Sequence, residues 1–563
     1  MNRLVFDIEA NGLNEINLNS KGEVIPEVTQ VHCLVTKDVD TNEIKTYTGM
    51  DIGSGVDDLR NADCIIGHNI TIYDVPVLER FFGPIHTKQQ DTLILSRMMY
   101  PERGDHPLGG NSLECWGKHL GCHKQDYEGG WEEYSDIMLE YCIQDVEVSH
   151  KVWEAQQEFI NANPKSVWLE QQVTRIIANQ IANGFCFDID AAYNLEEELQ
   201  YNKITIEDEM RQTFPPITEE RWSDKTGRRL KDKVTVFNPG SRKQIAERLH
   251  NKYGWNPPLT EKGNPKVDEA VLRELKYPEA LTLIRYFDTN KLQGQVSDWI
   301  KRAYHSRDGK IHGMVNPQGT VTGRMTASQP NLQQVSGDKR ARALFTPSPG
   351  HVQVGIDASG LEARMLASRM AKYDQGAYAK IILEGDIHTE NQHAAGLPTR
   401  NDAKTFFYGF LYGAGNEKIG KIIGKNANAG AALKKKFLTR LPALKKVIDD
   451  VKAHVDKTGK VKLLDGRLVP CRSQHAALNV QLQGDGAIVM KVAQVLLARK
   501  IKDMPVKFMA TVHDEWQLEC PADIAEEVGK LGVQALLEAG DKLDCQMPID
   551  GEYQIGKDWS ECH

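Results

Sequence analysis

The chain has 563 residues and a mass of 63.3 kDa, with 40% hydrophobic, 26% charged and 7% aromatic residues and a mean hydropathy of -0.47. At about 100–200 residues per domain this length predicts about three to five structural units, and the composition excludes disordered, collagenous and disulfide-stapled classes. The formal net charge of -9 hides an asymmetry: residues 1–160 sum to -16, residues 301–510 to +18 and residues 511–563 to -10, which predicts a polyanion-binding surface in the middle block. For a single run such as Lys434, Lys435 and Lys436, a solvated helical face is the other reading.

No run of about 18 apolar residues is present, and the opening MNRLVFDIEA puts carboxylates where a signal peptide needs its apolar stretch, so no membrane association and a cytoplasmic location are expected. The ten cysteines are scattered without a CxxC pair, which supports neither a zinc site nor a disulfide framework and predicts reduced thiols.

Along the chain, LVFDIEANGL, VHCLVT, IKTYTG and CIIGHN are short apolar or alternating runs broken by Asn, Gly and Asp, which predicts strands. Helical spacing runs from about 133 to 182, interrupted by NANP at 161–164, where a first domain boundary is expected. Helices continue over 186–305 around a polar, Pro-containing break at 214–233. A strand is predicted in GHVQVGIDAS near 350, then helices to about 457, a hairpin in KVKLLDGRLVPC with Asp465-Gly466 at its turn, and a second hairpin in FMATVHDEWQLEC. Internal repeats and low-complexity segments are absent.

Asp7 and Glu9 sit two apart on a predicted strand and therefore share a face. Asp74 follows a strand-to-helix turn, and Asp145 lies four residues after Tyr141 on a helix, one turn along the same side. Four carboxylates and a phenol are a suitable donor set for two Mg²⁺ or Mn²⁺ ions acting on a phosphodiester. The order DxE, then Asn69 with Asp74, then Tyr141 with Asp145 resembles the 3′-to-5′ proofreading exonucleases of the RNase H-like fold that use a tyrosine. That resemblance implies a mixed sheet flanked by helices, Asp7, Glu9, Asp74 and Asp145 as metal ligands, Tyr141 orienting the attacking water, and a structural role for Asp91.

Asp357 ends a predicted strand and Glu362 opens the helix after it; Asp514 and Glu515 stand at a predicted hairpin tip. Neighbours in a strand point to opposite faces, so one of the two is expected to reach a given metal, and Asp514 is chosen. A carboxylate pair drawn from distant segments repels itself unless cations bridge it, which makes a second two-metal centre the economical reading. In RNDAKTFFYGFLYGAG, Arg400, Lys404, Tyr408 and Tyr412 recur every fourth residue, and Gly413 and Gly415 are expected to end the helix. Such a face suits a triphosphate with rings packed on sugar and base; an aromatic-packed helix with solvated cations is the alternative.

Taken together, VTGRMTASQPNLQQV, IDASGLEAR, GDIHTENQ, RNDAKTFFYGFLYGAG, HAALNVQLQGDGA and VHDE resemble, in order and over nearly the whole chain, the A family of DNA polymerases, especially the replicative enzymes of short-tailed bacteriophages. The resemblance implies an α/β multidomain protein, an RNase H-like exonuclease domain followed by a right-hand polymerase: exonuclease 1–160, thumb and start of the palm 161–305, palm 306–370, fingers 371–460 and palm 461–563. It implies a template-directed DNA polymerase with proofreading in phage DNA replication, with two Mg²⁺ per active site for which Mn²⁺ can substitute. Asp357 and Asp514 would ligate both polymerase metals. Arg400, Lys404 and His388 would meet the incoming triphosphate, with Lys404 placed to protonate the departing pyrophosphate. Glu362 would exclude a 2′-hydroxyl, and Tyr408 would flank the sugar and tolerate dideoxynucleotides. Tyr412 would stack at the template, and Arg324, Asn479, Gln483 and His513 would contact the primer-template minor groove or primer end.

Primer-template DNA and deoxynucleoside triphosphates are the implied partners, with replisome proteins such as a helicase-primase and a single-strand binding protein beside them. Because 200–245 is short, the large thumb insertion that recruits thioredoxin in phage relatives is missing, and thioredoxin is not expected as a partner. The segment VFNPGSRKQIAERL (Asn238, Pro239, Ser241) resembles the thumb tip that grips the duplex, and is equally a capped helix start. The chain opens at the exonuclease motif, so a 5′ nuclease domain is not expected. Two competing readings are a nuclease with a helical appendage, which leaves the later motifs as accidents, and a DNA-binding subunit without catalysis.

Overall fold

Strand β1 (Arg3–Ala10) alternates as its sequence requires: Leu4, Phe6 and Ile8 enter one apolar cluster, while Val5 enters another on the opposite face, the face that carries Asp7 and Glu9. The computed structural model describes residues 1–562 except 16, 19–22, 103–106, 124–126 and 128. β1 pairs antiparallel with β2 (Val31–Asp38), placing Asp7 opposite Val35 and Glu9 opposite Cys33. β3 (Ile44–Thr48) continues that edge antiparallel, and β4 (Cys64–Gly67) joins β1 in parallel on the other side. After β4, α1 (Asp74–Phe82) leads to β5 (Lys88–Asp91), parallel to β4. The five-stranded sheet thus runs β3-β2-β1-β4-β5. α2 (Asp136–Ala155), capped by Ser135 accepting from the Met138 N–H, lays Cys142, Val146 and Trp153 over the acidic face. α3 (Pro164–Asn183) begins with Pro164 in its first turn, where a missing N–H costs nothing.

This sheet and α3 belong to a compact unit made of Met1–Cys186, Lys310–Gln334 and Thr346–His563; Phe187–Gly309 with Val335–Phe345 forms a second. α3 is tied to the first unit by burying Leu169, Val173, Ile177 and Ile181 against Val461, Val469, Ile488 and Val495 of that same unit.

In the second unit, α4 (Ile189–Thr213) is followed by a ribbon of β6 (Ile217–Trp222) and β7 (Arg229–Thr235), then α5 (Arg242–Tyr253) and the long α6 (Pro278–His305). Its core gathers Ile206, Met210, Phe237, Ile245, Leu249 and Leu283. The polar break of the sequence is therefore a β-ribbon: both its faces are solvated, so the hydrophobic alternation that marks a strand is missing.

Back in the first unit, β8 (His351–Ala358) lies at the centre of an antiparallel sheet and is followed by α7 (Leu361–Asp374), α8 (Arg400–Leu411) and α9 (Ala477–Lys500). β9 (Lys507–Val512) and β10 (Glu515–Pro521) make the expected hairpin, and α10 (Ala525–Lys542) precedes β11 (Gly551–Gly556), giving the order β9-β10-β8-β11. A Cβ at Gly532 would overlap the Ile356 side chain, so only glycine lets α10 lie this close to β8. The hairpin with Asp465-Gly466 also forms, pairing Lys460–Lys462 with Leu468–Pro470, and Gly466 takes φ +90°. All ten cysteines are free, and no helix among the described residues is long and apolar enough to cross a membrane.

Deep in this unit the carboxylate of Glu170 on α3 is fully buried. It accepts from Lys491 Nζ at 2.7 and 2.9 Å, from Arg467 Nη1 at 2.5 Å and from Gln318 Nε2 at 2.6 Å. Burial alone would push this carboxyl up, and the two cations reverse the shift and hold it below its usual range. Removing the anion strands two buried cations: Glu170→Gln should cost about 3–5 kcal/mol in urea unfolding, and adding Lys491→Met should recover part of that loss. A loss under about 1 kcal/mol for the single change would refute this account.

Candidate functional site

Two acidic sites emerge. Asp7 and Glu9 on β1, Asp74 at the start of α1, and Tyr141 and Asp145 on α2 all line one cavity of about 670 Å³, together with His68 and Asn69. The structure therefore brings together every residue that the first three motifs single out. Asp74 is buried and anchored to β1 between Asp7 and Glu9, its Oδ1 accepting the Ile8 N–H at 3.2 Å. Burial pushes its carboxyl up to about 7; Asp91 and Asp145 add to the rise, and the Ile8 N–H opposes it. The Tyr141 ring stands 5.4 Å from Tyr127 and 6.1 Å from Trp131, an aromatic wall that motif spacing did not anticipate.

Asp91 acts as a clamp. Its carboxylate accepts the backbone N–H groups of Asn69, Thr71 and Leu93 at 2.9–3.0 Å, which fixes the loop leading to Asp74, including Asn69 at φ +72°. Gln171 of α3 brackets the Asp91 backbone in turn, accepting its N–H and donating to its carbonyl, each at 3.1 Å. Cys142 is the other unforeseen neighbour: its thiol donates toward the Asp7 carbonyl at 3.5 Å, and Asp7, Glu9 and Cys142 offer ligand atoms within 4.8 Å of one another.

The second site is built on the β8 end and the β9–β10 turn. Asp357 closes β8 opposite Glu515 in register, and the Ala358 N–H donates to the Asp514 carbonyl at 3.0 Å. His513 takes φ +56°, so Asp514 stands in the turn itself. Strand alternation consequently does not separate Asp514 from Glu515, and both act on Asp357. Burial, then Asp514, Glu515 and Glu552, push the Asp357 carboxyl up to about 7. Burial and then Glu362 raise Asp514, with Arg324 opposing. Glu515 is also fixed from behind, its Oε1 accepting the Trp559 indole N–H at 3.1 Å.

Around these carboxylates, Glu362 at the start of α7 accepts from Arg324 Nη2 at 2.6 Å and from the Tyr412 hydroxyl at 3.3 Å. Burial and Glu362 push the Tyr412 hydroxyl up to about 12. Tyr408 and Tyr412 stack at 6.3 Å, and the His388 ring lies 5.9 Å from Tyr408. Arg324, His513 and Asp514 line one cleft. Arg400 and Lys404 are exposed on α8, Arg400 donating from Nη2 to Asp386 Oδ1 at 3.0 Å. Its guanidinium holds the Asp386 carboxyl far below the usual range. Asn479 and Gln483 share a half-buried face of α9, one turn apart, and no hydrogen bond among the described residues ties either to the carboxylates. Asp386 was missed by motif reading, although its place before His388 and Thr389 is a helix-capping pattern.

Both donor sets suit hard divalent cations. Carboxylate oxygens crowd together, and burial with like charges raises the carboxyls of Asp74, Asp357 and Asp514. The positive charge of bound ions would relieve that repulsion.

Comparison with known proteins places these sites in context. Residues 218–561 match the sequence model of DNA polymerase family A. Over an alignment of 718 positions that covers all of both chains, the protein is 32% identical to the DNA-directed DNA polymerase of Enterobacteria phage T3 and 33% identical to that of Escherichia phage T7. The alignments exceed the 563 residues here, so stretches of those relatives have no counterpart in this chain. In fold, it is similar to the polymerase domain of Pol1 from M. smegmatis, solved in complex with DNA primer-template and dNTP, with a TM-score of 0.80 at 16% identity over 99% of this chain and 96% of that one.

The raised carboxyls have a pH signature. Asp74 and Asp357 keep their protons up to about 7 when folded and lose them near 4 when unfolded, so in chelator the protein should lose stability as pH rises from about 4 to about 7. Cation binding must displace those protons: Mn²⁺ titrations in buffers of different ionisation enthalpy should show proton release near pH 6.5 that fades by about pH 8.5, and release that does not change with pH would contradict the assignment.

Proposed function

Since this chain belongs to DNA polymerase family A and is a DNA-directed DNA polymerase of the phage T7 and T3 type, we propose that its two acidic sites divide the labour between primer extension and 3′-to-5′ proofreading excision. The observation that carries the reading is the pair of separate carboxylate groups, each assembled from distant segments within one compact unit. Residues 1–160 form the exonuclease and 161–305 the thumb with the start of the palm; the palm follows at 306–370, the fingers at 371–460 and the remaining palm at 461–563.

The family uses divalent metal ions; two Mg²⁺ per site, with Mn²⁺ as a substitute, supply charge neutralisation and polarisation of the phosphodiester when bound. In the polymerase site Asp357 and Asp514 hold them, on a strand end and a tight turn that fix their spacing. Arg400 and Lys404 engage the triphosphate, His388 sits beside them against Tyr408, and Lys404 delivers a proton to the departing pyrophosphate. Glu362, braced by Arg324 and Tyr412, lies under the sugar and excludes a 2′-hydroxyl, so deoxynucleotides are selected. Tyr408 flanks that sugar, and Tyr412 stacks at the template. Arg324, Asn479, Gln483 and His513 contact the minor groove or primer end, where shared acceptors report pair shape without sequence.

In the excision site Asp7, Glu9, Asp74 and Asp145 hold the ions and Tyr141 orients the attacking water. Primer-template DNA and deoxynucleoside triphosphates are the substrates, replisome proteins such as a helicase-primase and a single-strand binding protein are the expected partners, and thioredoxin is not an expected one.

Primer extension on a labelled primer-template with Mg²⁺, beside a lane without nucleotides, tests the division. Asp514→Ala should lose extension by at least about 10²-fold while excision persists, and Asp7→Ala with Glu9→Ala should do the reverse. Loss of both activities in either variant would defeat the two-site assignment.

A further inference from the structure

A further cavity, of about 330 Å³, has no part in the chemistry above, and all the residues that line it belong to the first unit. α1, the turn after it, β5 and α3 enclose it. It borders the Asp91 clamp without sharing a lining residue with the Asp74 cavity. Thr71 lines it while its N–H donates to Asp91 Oδ2 at 3.0 Å, and Arg175 reaches it from α3, one turn beyond the Gln171 that brackets the Asp91 backbone.

Two buried polar side chains border this cavity with an unmatched atom. Thr71 is 2% exposed and Gln89 7% exposed, and neither Thr71 Oγ1 nor Gln89 Oε1 meets a hydrogen-bond partner among the described residues. Burying such atoms unpaired forfeits their solvation, so they point to a group that satisfies them. Rotation about Cα–Cβ of Thr71, or an amide flip at Gln89, redirects either atom. The rest of the lining is rich in donors. Arg175 enters no ion pair or side-chain hydrogen bond among the described residues, and His86 and Asn179 stand with it. Against them is one carboxylate, Glu79, whose Oε1 already accepts the Ile85 N–H at 2.8 Å. A guanidinium, an imidazole and amides suit a phosphate, while the carboxylate and the Thr71 hydroxyl suit the hydroxyl and amino groups of a nucleoside. Pro76 and Pro84 add apolar surface on which a base can pack. The volume stands at the small end of the range of about 300–1,000 Å³ for small-ligand sites, which admits one nucleotide and excludes a duplex. We propose that this cavity binds a single nucleotide, apart from both acidic sites, and that the occupant, held against Thr71, stiffens the loop that presents Asp74. The choice of a nucleotide rests on the chain being a DNA polymerase, and neither acidic site needs to be catalytic for it.

The test uses the full-length protein carrying Asp7→Ala and Glu9→Ala, in chelator, so that binding at the first acidic site does not contribute. dAMP, dATP, deoxyadenosine and inorganic phosphate are each titrated by calorimetry, and hydrogen exchange of the amides of residues 69–74 is followed with each. dAMP or dATP should bind and slow exchange of the Thr71 amide, with deoxyadenosine and phosphate at least about tenfold weaker. Protection at Thr71 identifies which of the two nucleotides is the occupant, since dATP held elsewhere leaves that amide unchanged. Arg175→Ala should weaken binding at least about tenfold and remove the protection, and Arg175→Lys should retain both. Thr71→Val with Gln89→Leu, which keeps the shape of the wall and deletes its polar atoms, should weaken binding to the same extent with Tm unchanged. Absence of protection at Thr71 with both nucleotides at about 1 mM would overturn the proposal. So would unchanged affinity in either the Arg175→Ala protein or the Thr71→Val, Gln89→Leu protein.

Discussion

A single buried carboxylate, Glu170, sets the frame on which the larger unit is organised. Burying a charge is costly unless it is matched, and here two cations and an amide converge on it from α9, from the hairpin beyond residue 460 and from the segment after residue 310. Its neighbour Gln171 projects about 100° further round the same helix and grips the Asp91 backbone. One turn of α3 thus references the loop that presents Asp74 and the helix whose Lys491 borders the Asp514 cleft. Excision and extension chemistry, as proposed, sit on one frame, so a primer end passing between them must move with the DNA.

The two acidic sites reach similar electrostatics in differently enclosed settings, with burial leading in both and neighbouring carboxylates adding to it. In the first, burial dominates: Asp74 sits under a helix start and leans on an Ile8 N–H. In the second, Asp357 is only partly enclosed, and neighbouring carboxylates contribute alongside burial. Asp74 and Asp357 are each pushed up to about 7, and a bound cation would favour their ionised forms. Glu362 differs in its partners: it accepts from Arg324 and from the Tyr412 hydroxyl, which fix its position beside the carboxylate pair.

How much of this was legible in the sequence depends on the range of the interaction. The alternation of β1, the turn before Asp74 and the one-turn spacing of Tyr141 and Asp145 are local, and each could be read from neighbouring residues. The Gln171 bracket on Asp91 is 80 residues long and leaves no local pattern. The β6–β7 ribbon escaped because a strand solvated on both faces needs no apolar alternation. Glu515 was set aside by an alternation rule that lapses where His513 turns left-handed. The apolar residues of α3 pack against Val461 and Val495, contacts too distant in sequence to leave a local pattern.

With Arg400 as the triphosphate contact proposed above, its ion pair with Asp386 would give nucleotide capture the character of an anion exchange. The guanidinium on α8 is already oriented by a resident carboxylate, so a ligand loses less entropy in ordering it but must displace an anion to use it. With Arg400 as a triphosphate contact, a nucleoside or monophosphate competes poorly against that internal surrogate, whereas a polyanion exceeds it in charge. On that assignment the latch would work as a valency filter, screening ligands by phosphate number before base pairing is consulted.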